Sequence, residues 1–390
     1  MKKQTQAIHT PFPSRDAYGS LGMPVYHTAA YEFETADDMA DAFTGRVLAP
    51  DYSRVMNPTV MHLEDQVKAL TGAADVIAFN SGMAAISNAF MALAASGKNI
   101  VTSRHLFGNT FSLLTTTLKR FGVETRLCDL TDLEEVRRSV DADTCCIYLE
   151  IITNPQMEVA DLRALADIAH GRGAALVADT TMIPFTEFSA KALGVDIELV
   201  SSTKYLSGGA TSLGGLIIDY GTAEGFDRRI RFELLFNLGA YMTPHAAYMQ
   251  SLGLETLAVR YERQAANALE LARRLRQLPA IARVNYPGLE DNPFHSISRR
   301  QFGPTSGAMV TIDLADEGAC KTFINNLKLI RRATNLFDNK SLAIHPASTI
   351  FGNFTPEERR EMDVLDTTVR LSVGLEDVDD LFEDIRQALA

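Results

Sequence analysis

The sequence predicts an α/β protein in which a mainly parallel sheet of seven strands is covered by helices and followed by a smaller α+β domain. Between about residues 70 and 220, short apolar runs alternate with amphipathic helical patterns. Such alternation is typical of parallel strands buried between two layers of helices. Capping residues support the predicted helices. Asp132 and Asp161 stand where two of them should begin, and Gly122, Gly171 and Gly194 follow the last turns of three.

The apolar runs define the predicted strands, which are Val76–Phe79, Asn99–Thr102, Thr125–Cys128, Cys145–Leu149, Ala174–Ala178, Ile197–Val200 and Gly215–Ile218. Helical periodicity predicts the helices between them, which include Phe111–Arg120, Asp132–Val140, Asp161–His170 and Thr186–Leu193. In open sheets of this kind, ligands bind at the carboxyl ends of the strands. The residues that follow each strand are therefore the first candidates for a functional site.

Changes of pattern divide the chain into three parts. Residues 1–60 contain several Pro and Gly and predict an extended arm with a short helix near Ala36–Phe43. Residues 61–245 form the predicted large domain, and residues 246–390 the smaller one. The smaller domain is predicted to begin with a helix at Leu254–Leu275, followed by strands at Ala282–Tyr286 and Met309–Leu314. A second helix at Gly318–Asn326 and a strand after Thr367 then lead into a terminal helix.

Composition excludes several functional classes. The chain of 390 residues carries a net charge of −12 without a basic block, so nucleic acid and anionic membranes are not expected partners. No run approaches the ~20 apolar residues of a membrane span, and no secretory signal is expected. The four cysteines, Cys128, Cys145, Cys146 and Cys320, lack C-x-x-C spacing, which favours buried free thiols and a cytoplasmic location.

Two strand ends carry groups suited to a phosphate. The first strand runs through a small-residue turn into a helix, so the backbone N–H groups of Gly82 and Met83 would lie at the positive end of that helix. Most turns of this composition only begin helices. Beyond the sixth strand, Ser201 and Thr203 stand two residues apart, so both hydroxyls could face one phosphate.

Two charged residues follow buried strands. Asp179 either caps a helix or pairs with a cationic group of a ligand, because a lone buried carboxylate costs several kcal/mol. Lys204 either extends its ammonium to solvent or, if buried, has the lowered pKa that a Schiff-base lysine needs. A phosphate cradle, a carboxylate for a pyridine nitrogen and a lysine for an aldehyde together predict a pyridoxal 5'-phosphate (PLP) site.

Other common sites lack their signatures in the sequence. No G-x-G-x-x-G motif opens a helix, no phosphate-binding P-loop is present, and no H-E-x-x-H motif occurs. The eight histidines are scattered without the spacing of metal ligands. A dinucleotide, nucleotide or metal site is therefore not predicted.

Seven motifs resemble those of the Cys/Met-metabolism family of PLP-dependent enzymes, which includes cystathionine γ-synthase and methionine γ-lyase. They are Tyr52-Ser53-Arg54-x-x-Asn57-Pro58-Thr59, Ser81-Gly82-Met83-Ala84-Ala85, Asn154-Pro155, Asp179-x-Thr181, Ser201-x-Thr203-Lys204-Tyr205, Tyr286-Pro287-Gly288-Leu289 and Arg370-Leu371-Ser372-Val373-Gly374-x-Glu376. These motifs span nearly the whole chain in the family's order. The resemblance implies the aspartate-aminotransferase-like architecture of fold type I PLP enzymes.

The resemblance implies how the matching residues bind the cofactor. Lys204 would form a Schiff base with PLP and move protons, and Asp179 would pair with the pyridinium nitrogen. Phe107 would cover the ring, and Glu150 would lie behind it. The residues that would hold the phosphate are Gly82, Met83, Ser201 and Thr203.

The resemblance also implies roles in substrate binding and assembly. Arg370 would bind the substrate carboxylate, with Asn154 and Asn335 nearby, since arginine suits planar bidentate contacts. Tyr52 and Arg54 would reach the phosphate of a neighbouring subunit. The arm of residues 1–60 would then contact that subunit, and the active unit would be a dimer, usually within a tetramer.

Five further stretches resemble the O-acetylhomoserine sulfhydrylase branch of the family, namely His105–Thr110, Ile151–Gln156, Ser207–Thr211, Asn335–Leu342 and His345–Thr349. Phe107 stands where methionine γ-lyase and the cystathionine enzymes place a Tyr whose hydroxyl assists the leaving group, and Lys340 stands where they generally carry Glu. Thr180 replaces the usual Asn beside the ring aspartate, and Ile350-Phe351 replaces a common Thr-His. The sequence alone does not interpret the last two departures.

These features predict γ-replacement on an O-acyl-L-homoserine, with O-acetyl-L-homoserine favoured, by sulfide or a thiol to give homocysteine or methionine. The enzymatic alternative is γ-elimination, as in the methionine and cystathionine γ-lyases. An alternative of another class is an inactive PLP-fold protein that serves as a scaffold or regulator. The joint presence of Lys204, Asp179 and Arg370 argues against it. The acyl group, the sulfur donor and the choice between dimer and tetramer stay open.

Overall fold

Six parallel strands and one antiparallel strand form the main sheet of the computed structural model, which describes residues 1–10 and 18–390. Its strands are β1 (Asp75–Phe79), β2 (Asn99–Thr102), β3 (Glu124–Leu127), β4 (Thr144–Glu150), β5 (Ala175–Asp179), β6 (Ile197–Val200) and β7 (Gly215–Asp219). Their order is β1-β7-β6-β5-β4-β2-β3, and β7 is antiparallel to both neighbours. The predicted sheet is confirmed, with each strand end within one residue of its expected position.

The central strands are apolar because both of their faces are covered. Ile147, Leu176 and Ile217, on β4, β5 and β7, are fully buried. The helices up to residue 255 are α1 (Lys3–His9), α2 (Ala36–Phe43), α3 (Pro58–Thr71), α4 (Gly82–Leu93), α5 (Gly108–Ser112), α6 (Leu133–Ser139), α7 (Leu162–His170), α8 (Phe226–Arg229), α9 (Leu235–Leu238) and α10 (Pro244–Glu255). The predicted caps are confirmed, since Asp132 accepts from two N–H groups at the start of α6 and Asp161 from one in α7.

A second sheet follows in the C-terminal part of the chain. Its strands are β8 (Arg283–Asn285), β9 (Met309–Asp313), β10 (Arg331–Arg332), β11 (Leu342–Ile344) and β12 (Thr368–Ser372), in the order β10-β11-β12-β9-β8. The helices around it are α11 (Leu257–Leu275), α12 (His295–Phe302), α13 (Glu317–Asn326), α14 (Pro356–Glu361) and α15 (Val378–Ala388). The expected smaller α+β unit is confirmed, while the exact domain boundaries stay a prediction.

Two helical predictions were wrong in detail. In the segment predicted as Thr186–Leu193, only the single 3₁₀ turn Lys191–Leu193 is helical. The carbonyls of Phe185 and Phe188 accept hydrogen bonds from Lys3 Nζ at 2.8 and 3.0 Å, so a contact distant in sequence replaces helical bonding there. The segment predicted as Phe111–Arg120 passes from α5 through a π turn and a 3₁₀ turn, where three consecutive threonines have low helix propensity.

The ends of two other helical regions also differ from the prediction. The long helix predicted at Leu254–Leu275 is interrupted at Thr256, which separates α10 from α11. The arm is not wholly extended, because Lys3–His9 forms α1, which packs against α3 and α10. Residues 11–17 of the predicted arm lie outside the described residues.

Membrane-spanning helices and the cysteines were the subject of two predictions. Among the described residues, no helix is both long and apolar enough to cross a bilayer. The four cysteines are free thiols, of which Cys145 is half-buried and the other three are buried. The predicted free thiols are thus confirmed.

Candidate active site

A cavity of about 1020 Å³ opens at the carboxyl ends of β1, β4, β5 and β6. Parallel strands present their carboxyl ends at one edge, which is where the sequence placed the site. The predicted residues that line the cavity are Gly82, Met83, Phe107, Asn154, Asp179, Ser201, Thr203, Lys204, Asn335 and Arg370. The fold therefore brings together residues that are up to 288 positions apart in the chain.

The N-terminus of α4 forms one wall of the cavity. Ser81 caps the helix by accepting a hydrogen bond from Ala84 N at 3.2 Å, so Gly82 and Met83 are its first two residues. A Cβ atom on Gly82 would lie 2.8 Å from Ser201 Cβ, so only glycine allows this approach to the end of β6. The close approach sets helical N–H groups beside the Ser201 hydroxyl, as an anion site requires.

The two hydroxyls predicted beside them differ in their bonding. The backbone of Ser201 is fixed by its N–H, which donates to Thr181 Oγ1 at 2.8 Å. Thr203 Oγ1 bonds to both the carbonyl and the N–H of Gly214, at 3.2 and 3.0 Å. The Thr203 hydroxyl would have to turn from the Gly214 carbonyl to donate to a phosphate.

A buried carboxylate, Glu150, and a half-buried one, Asp179, lie side by side at the ends of β4 and β5. Glu150 and Asp179 are partners in the parallel register of these strands. Asp179 Oδ1 accepts from Thr181 N at 2.9 Å, and Glu150 Oε1 accepts from Phe107 N at 2.6 Å, which fixes the aromatic residue over the cavity. Burial, followed by the charge of Asp179, raises the pKa of Glu150 to about 8, and burial also raises the pKa of Asp179.

Lys204 extends into the cavity and meets no carboxylate within ion-pair distance among the described residues. Its Nζ donates to Asn335 Oδ1 at 2.8 Å. Burial, together with the nearby charge of Arg370, lowers the pKa of Lys204 to about 8, although Asp179 acts in the opposite direction. A substantial fraction of this amine is therefore neutral, and hence nucleophilic, near physiological pH.

Arg370 lies on β12 and brings a cation from the second sheet to the cavity. Its guanidinium contacts Asn154 Oδ1 at 3.2 Å and the backbone carbonyls of Thr334 and Asn335 at 3.0 and 3.4 Å. Its Nε is buried without a partner, and burial lowers the pKa of Arg370 to about 9. A buried guanidinium without a carboxylate among the described residues is suited to bind the carboxylate of a substrate.

Tyr52 and Arg54 lie apart from these residues. Arg54 Nη1 donates to the Phe236 carbonyl at 2.5 Å, and its guanidinium stands 5.5 Å from the Tyr52 ring centre. Neither residue lines the cavity, and 44% of Tyr52 is exposed. Within one subunit these two side chains therefore contribute nothing to the cavity wall.

Several residues of the cavity wall were not predicted. They include Ile86, Met182, Leu213, Thr334 and Leu336. Leu213 and Thr334 belong to loops without a periodic pattern, so the sequence offers no signal that they meet the strand ends. Met182 follows Asp179 by three residues and was detectable only from its place near the end of β5.

The family model for Cys/Met-metabolism PLP-dependent enzymes matches residues 4–390 of the chain. The chain belongs to this family. Membership makes PLP the cofactor, and the predicted fold type I architecture is confirmed by solved structures of the family.

Individual members of the family show how close the relationship is. An L-methionine γ-lyase of Fusobacterium nucleatum is 38% identical over 100% of this chain and 99% of its own. A solved structure of a provisionally assigned O-acetylhomoserine (thiol)-lyase from Campylobacter jejuni, which contains a pyridoxyl-lysine phosphate, has a TM-score of 0.96 at 33% identity over the full length of both chains. The O-acetylhomoserine sulfhydrylase of Wolinella succinogenes is 44% identical, with a TM-score of 0.77 over 86% of this chain and 99% of that one.

The comparisons do not favour one reaction of the family over another. O-succinylhomoserine and O-acetylhomoserine sulfhydrylases stand beside the γ-lyases among the curated relatives, at 37% and 35% identity. The choice of reaction and substrate therefore depends on the residues of this cavity.

Proposed function

We propose that this family member catalyses γ-replacement on O-acetyl-L-homoserine by sulfide or a small thiol, which gives homocysteine or methionine and releases acetate. The observation that carries the proposal is the chemistry of the cavity wall. Among the described residues, the cationic side chains that line the cavity are Lys204 and Arg370, and no tyrosine lines it.

The side chains of the cavity fit PLP. Lys204 would bind the aldehyde, and Asp179 would contact the pyridine nitrogen. The start of α4, together with Ser201 and Thr203, would bind the phosphate. The fit depends on Gly82, since any larger residue would fill the space beside Ser201. When bound, PLP supplies an electron sink for negative charge that develops on the substrate carbons.

Arg370 and Lys204 would have different roles toward the substrate. Arg370, with Asn154 beside it, would bind the α-carboxylate and orient the Cα–H bond toward Lys204. Lys204 would accept the α-proton, and its pKa of about 8 suits an amine that both accepts and returns protons near neutral pH. Removal of a β-proton lets acetate leave from the γ-carbon, sulfide adds to that carbon, and the returned protons complete homocysteine.

The charge of the cavity supports an acetyl group over a succinyl or phosphoryl group. A succinyl group adds a carboxylate and a phosphoryl group adds two charges, and each needs a cation or several donors when buried. Arg370 would already bind the α-carboxylate and Lys204 the cofactor. Within one subunit the described chain offers no third cation to the cavity, and Arg54 of a neighbouring subunit would be engaged by the phosphate of the cofactor, whereas a neutral acetyl ester needs no cation.

The leaving group supports replacement of acetate over elimination of a thiolate. A departing thiolate benefits from a proton donor, because general acid catalysis contributes about 100-fold or more when the leaving group is basic. Phe107 has no proton to give. Tyr205 is no substitute, since its hydroxyl accepts from Ala308 N at 3.1 Å and its ring stacks on Phe337, away from the cavity.

A steady-state screen tests the proposal. Purified enzyme is assayed with O-acetyl-, O-succinyl- and O-phospho-L-homoserine in the presence of sulfide, and with methionine alone. We expect the highest kcat/KM for O-acetylhomoserine, measured as homocysteine. A comparable kcat/KM for release of ammonia and 2-oxobutyrate from methionine would instead establish the γ-lyase, which the 38% identical relative from Fusobacterium nucleatum makes the second candidate.

Phe107→Tyr is expected to raise the methionine reaction by about tenfold or more, because it adds a phenolic proton at the cavity wall without removing the aromatic cover. The backbone bond from residue 107 to Glu150 does not depend on the side chain, so the position of the ring should persist. The measurement is kcat/KM for 2-oxobutyrate formation in the variant and the unmodified enzyme. Phe107→Leu is the control that removes the ring without adding a proton. No gain in the tyrosine variant would mean that another group, such as Tyr52 of a neighbouring subunit, protonates the leaving sulfur.

We also propose that two subunits share each active site, within a cytoplasmic homotetramer. Neither Tyr52 nor Arg54 lines its own cavity, and large apolar side chains that line a second pocket together with Arg54 are exposed, among them Phe232 at 53% and Leu48 at 74%. Apolar surface of this kind is typical of subunit contacts. The free cysteines accord with a reducing compartment.

Inactive Arg54→Ala and Lys204→Ala subunits should complement each other, because a mixed dimer contains one site with both residues intact. Mixing the two variants under exchange conditions is expected to restore up to about a quarter of the wild-type activity, since random mixing makes half of the dimers hybrid with one intact site each. The hybrids are followed by native mass spectrometry. Hybrids that form without activity would show that Arg54 does not serve the partner's site.

A further inference from the structure

His105 joins three segments of the chain beside the cavity. Its Nδ1 lies 2.5 Å from Glu158 Oε2 in the loop after β4, and its Nε2 lies 2.9 Å from Asp363 Oδ2 in the segment after α14. The histidine side chain is only 14% exposed. A nearly buried imidazole with a carboxylate on each nitrogen is held most strongly in its charged form.

Glu158 connects His105 to Asn154, which is predicted to bind the substrate. Thr153 N donates to the Glu158 carbonyl at 3.0 Å, and Glu158 N donates to Thr153 Oγ1 at 3.0 Å, so the two residues close a tight loop. Asn154 lies within that loop and contacts Arg370. The position of Asn154 therefore depends on a loop that His105 holds.

Asp363 connects His105 to the wall of the cavity that Ile350 forms. Its neighbours Met362 and Val364 pack with Phe351 in a small apolar cluster, against which Ile350 also packs. Ile350 lines the cavity. The segment after α14 thus supports the wall that Ile350 forms.

Phe107 lies between two contacts with the C-terminal segment 350–364, which contains α14. His105 contacts Asp363 on one side of it, and Gly108 approaches the segment on the other. A Cβ on Gly108 would lie 3.0 Å from the Ile350 carbonyl oxygen and 3.1 Å from the Phe354 ring, so α5 begins in direct contact with the segment. The aromatic wall of the cavity is fixed from both directions.

We propose that His105 is a positioning residue for substrate binding, which in its charged form holds Phe107, Asn154 and Ile350 around the amino-acid substrate. Loss of the charge would leave one N–H donor for two carboxylates, so the ring would release one of them and the contact that joins the three walls would break. The proposal depends on the proposed function only for the substrate that the kinetic assay uses.

The pH dependence follows from the two carboxylates in contact with the ring. Burial alone would lower the pKa of His105, but the bonds and charges of Glu158 and Asp363 outweigh burial and raise the pKa above the ordinary value. The double contact is therefore fully present below the ordinary histidine pKa of ~6.5, and one of its two bonds is lost as the pH rises through the raised pKa. KM for the amino-acid substrate should rise over that upper range.

His105→Gln and Asp363→Asn test the proposal through the pH profile of KM. In His105→Gln we expect KM for O-acetylhomoserine to increase about tenfold at low pH, with kcat within about twofold, and its rise with pH to disappear. In Asp363→Asn the rise should move to lower pH, because one of the charges that raise the pKa of His105 is gone. His170→Gln is the matched control, since His170 Nε2 also contacts a carboxylate, Asp196, at 2.7 Å, but this pair lies at the amino end of β6, opposite to the end where the cavity opens.

Amide hydrogen exchange provides a readout without substrate. Peptides covering residues 153–158 and 346–364 should exchange faster in His105→Gln than in the unmodified enzyme or in His170→Gln. A KM profile and exchange rates like those of the unmodified enzyme would overturn the proposal, and so would an unchanged profile in Asp363→Asn if His105→Gln does not fold. If O-acetylhomoserine is not turned over, the proposed function fails while the exchange experiment still decides the role of His105.

Discussion

Lys204→Ala is expected to abolish turnover and the visible absorbance of covalently bound cofactor, while the protein remains folded. Lys204 is the amine that the cavity presents, and its pKa of about 8 leaves a neutral fraction able to attack an aldehyde. Both the attachment of PLP and the transfer of the α-proton would depend on the same Nζ. We therefore expect a loss of at least about 10⁴-fold in kcat/KM, since two functions disappear together.

The fold should tolerate this change because the structural role of the side chain is small. Its polar contact is the bond to Asn335 Oδ1, and removal of a desolvated amine relieves a cost rather than adding one. Thermal unfolding and exchange of the variant should resemble those of the unmodified apoprotein.

Lys191→Ala is the control that distinguishes the loss of Lys204 from the loss of any lysine. Lys191→Ala removes an amine that donates to the Gly72 carbonyl at 2.9 Å on the surface, and it should leave turnover unchanged. Borohydride reduction followed by mass spectrometry should find a pyridoxyl group on Lys204 in the unmodified protein and none in Lys204→Ala. Turnover in Lys204→Ala comparable to that of the unmodified enzyme would refute the role of this lysine.

The sheet and much of the site could be predicted because local patterns encode them. Seven buried strands appear as apolar runs, and polar residues such as Asp179 and Lys204 interrupt them where each strand ends. The carboxyl ends of parallel strands then share an edge, so residues up to 120 positions apart, such as Ser81, Asp179 and Ser201, line one cavity. Pattern alone was sufficient for this half of the site.

The other half depends on contacts between distant segments, which no local pattern shows. Arg370 reaches the cavity from β12 and Asn335 from the loop after β10, and both were predicted through the family resemblance rather than through periodicity. The helix predicted at Thr186–Leu193 failed for a related reason, since Lys3 from the far end of the chain binds the carbonyls that a helix would use. Local propensity is outweighed wherever a distant side chain satisfies the backbone.

The structure also gives a context for Thr180, which the sequence left uninterpreted. Thr180 Oγ1 donates to Glu198 Oε1 at 2.6 Å, and the Tyr220 hydroxyl donates to Glu198 Oε2 at 2.6 Å. Glu198 is fully buried, and burial raises its pKa. A threonine beside Asp179 is thus explained by a carboxylate on β6 that needs hydroxyl donors, and Thr180 holds the end of β5 against β6.

Asp179→Asn is expected to retain PLP but to lose at least about 100-fold in kcat. A carboxylate holds a proton on the pyridine nitrogen, which strengthens the electron sink, whereas a neutral amide does not. A charged hydrogen bond worth ~3 kcal/mol in the transition state corresponds to a loss of about this size. The amide oxygen can still accept from Thr181 N, so the turn after β5 should keep its shape and the phosphate contacts should still bind the cofactor.

Asp196→Asn is the matched control for Asp179→Asn, because it also neutralises an aspartate that accepts a backbone N–H, here from Leu176 at 2.7 Å. Asp196 stands at the opposite end of β6, so its variant should lose stability but keep its kcat. The decisive measurement is kcat for both variants with cofactor content determined on the same samples. A loss below tenfold in fully loaded Asp179→Asn would show that Asp179 only caps the turn at Thr181, and the proton on the ring nitrogen would then need another partner.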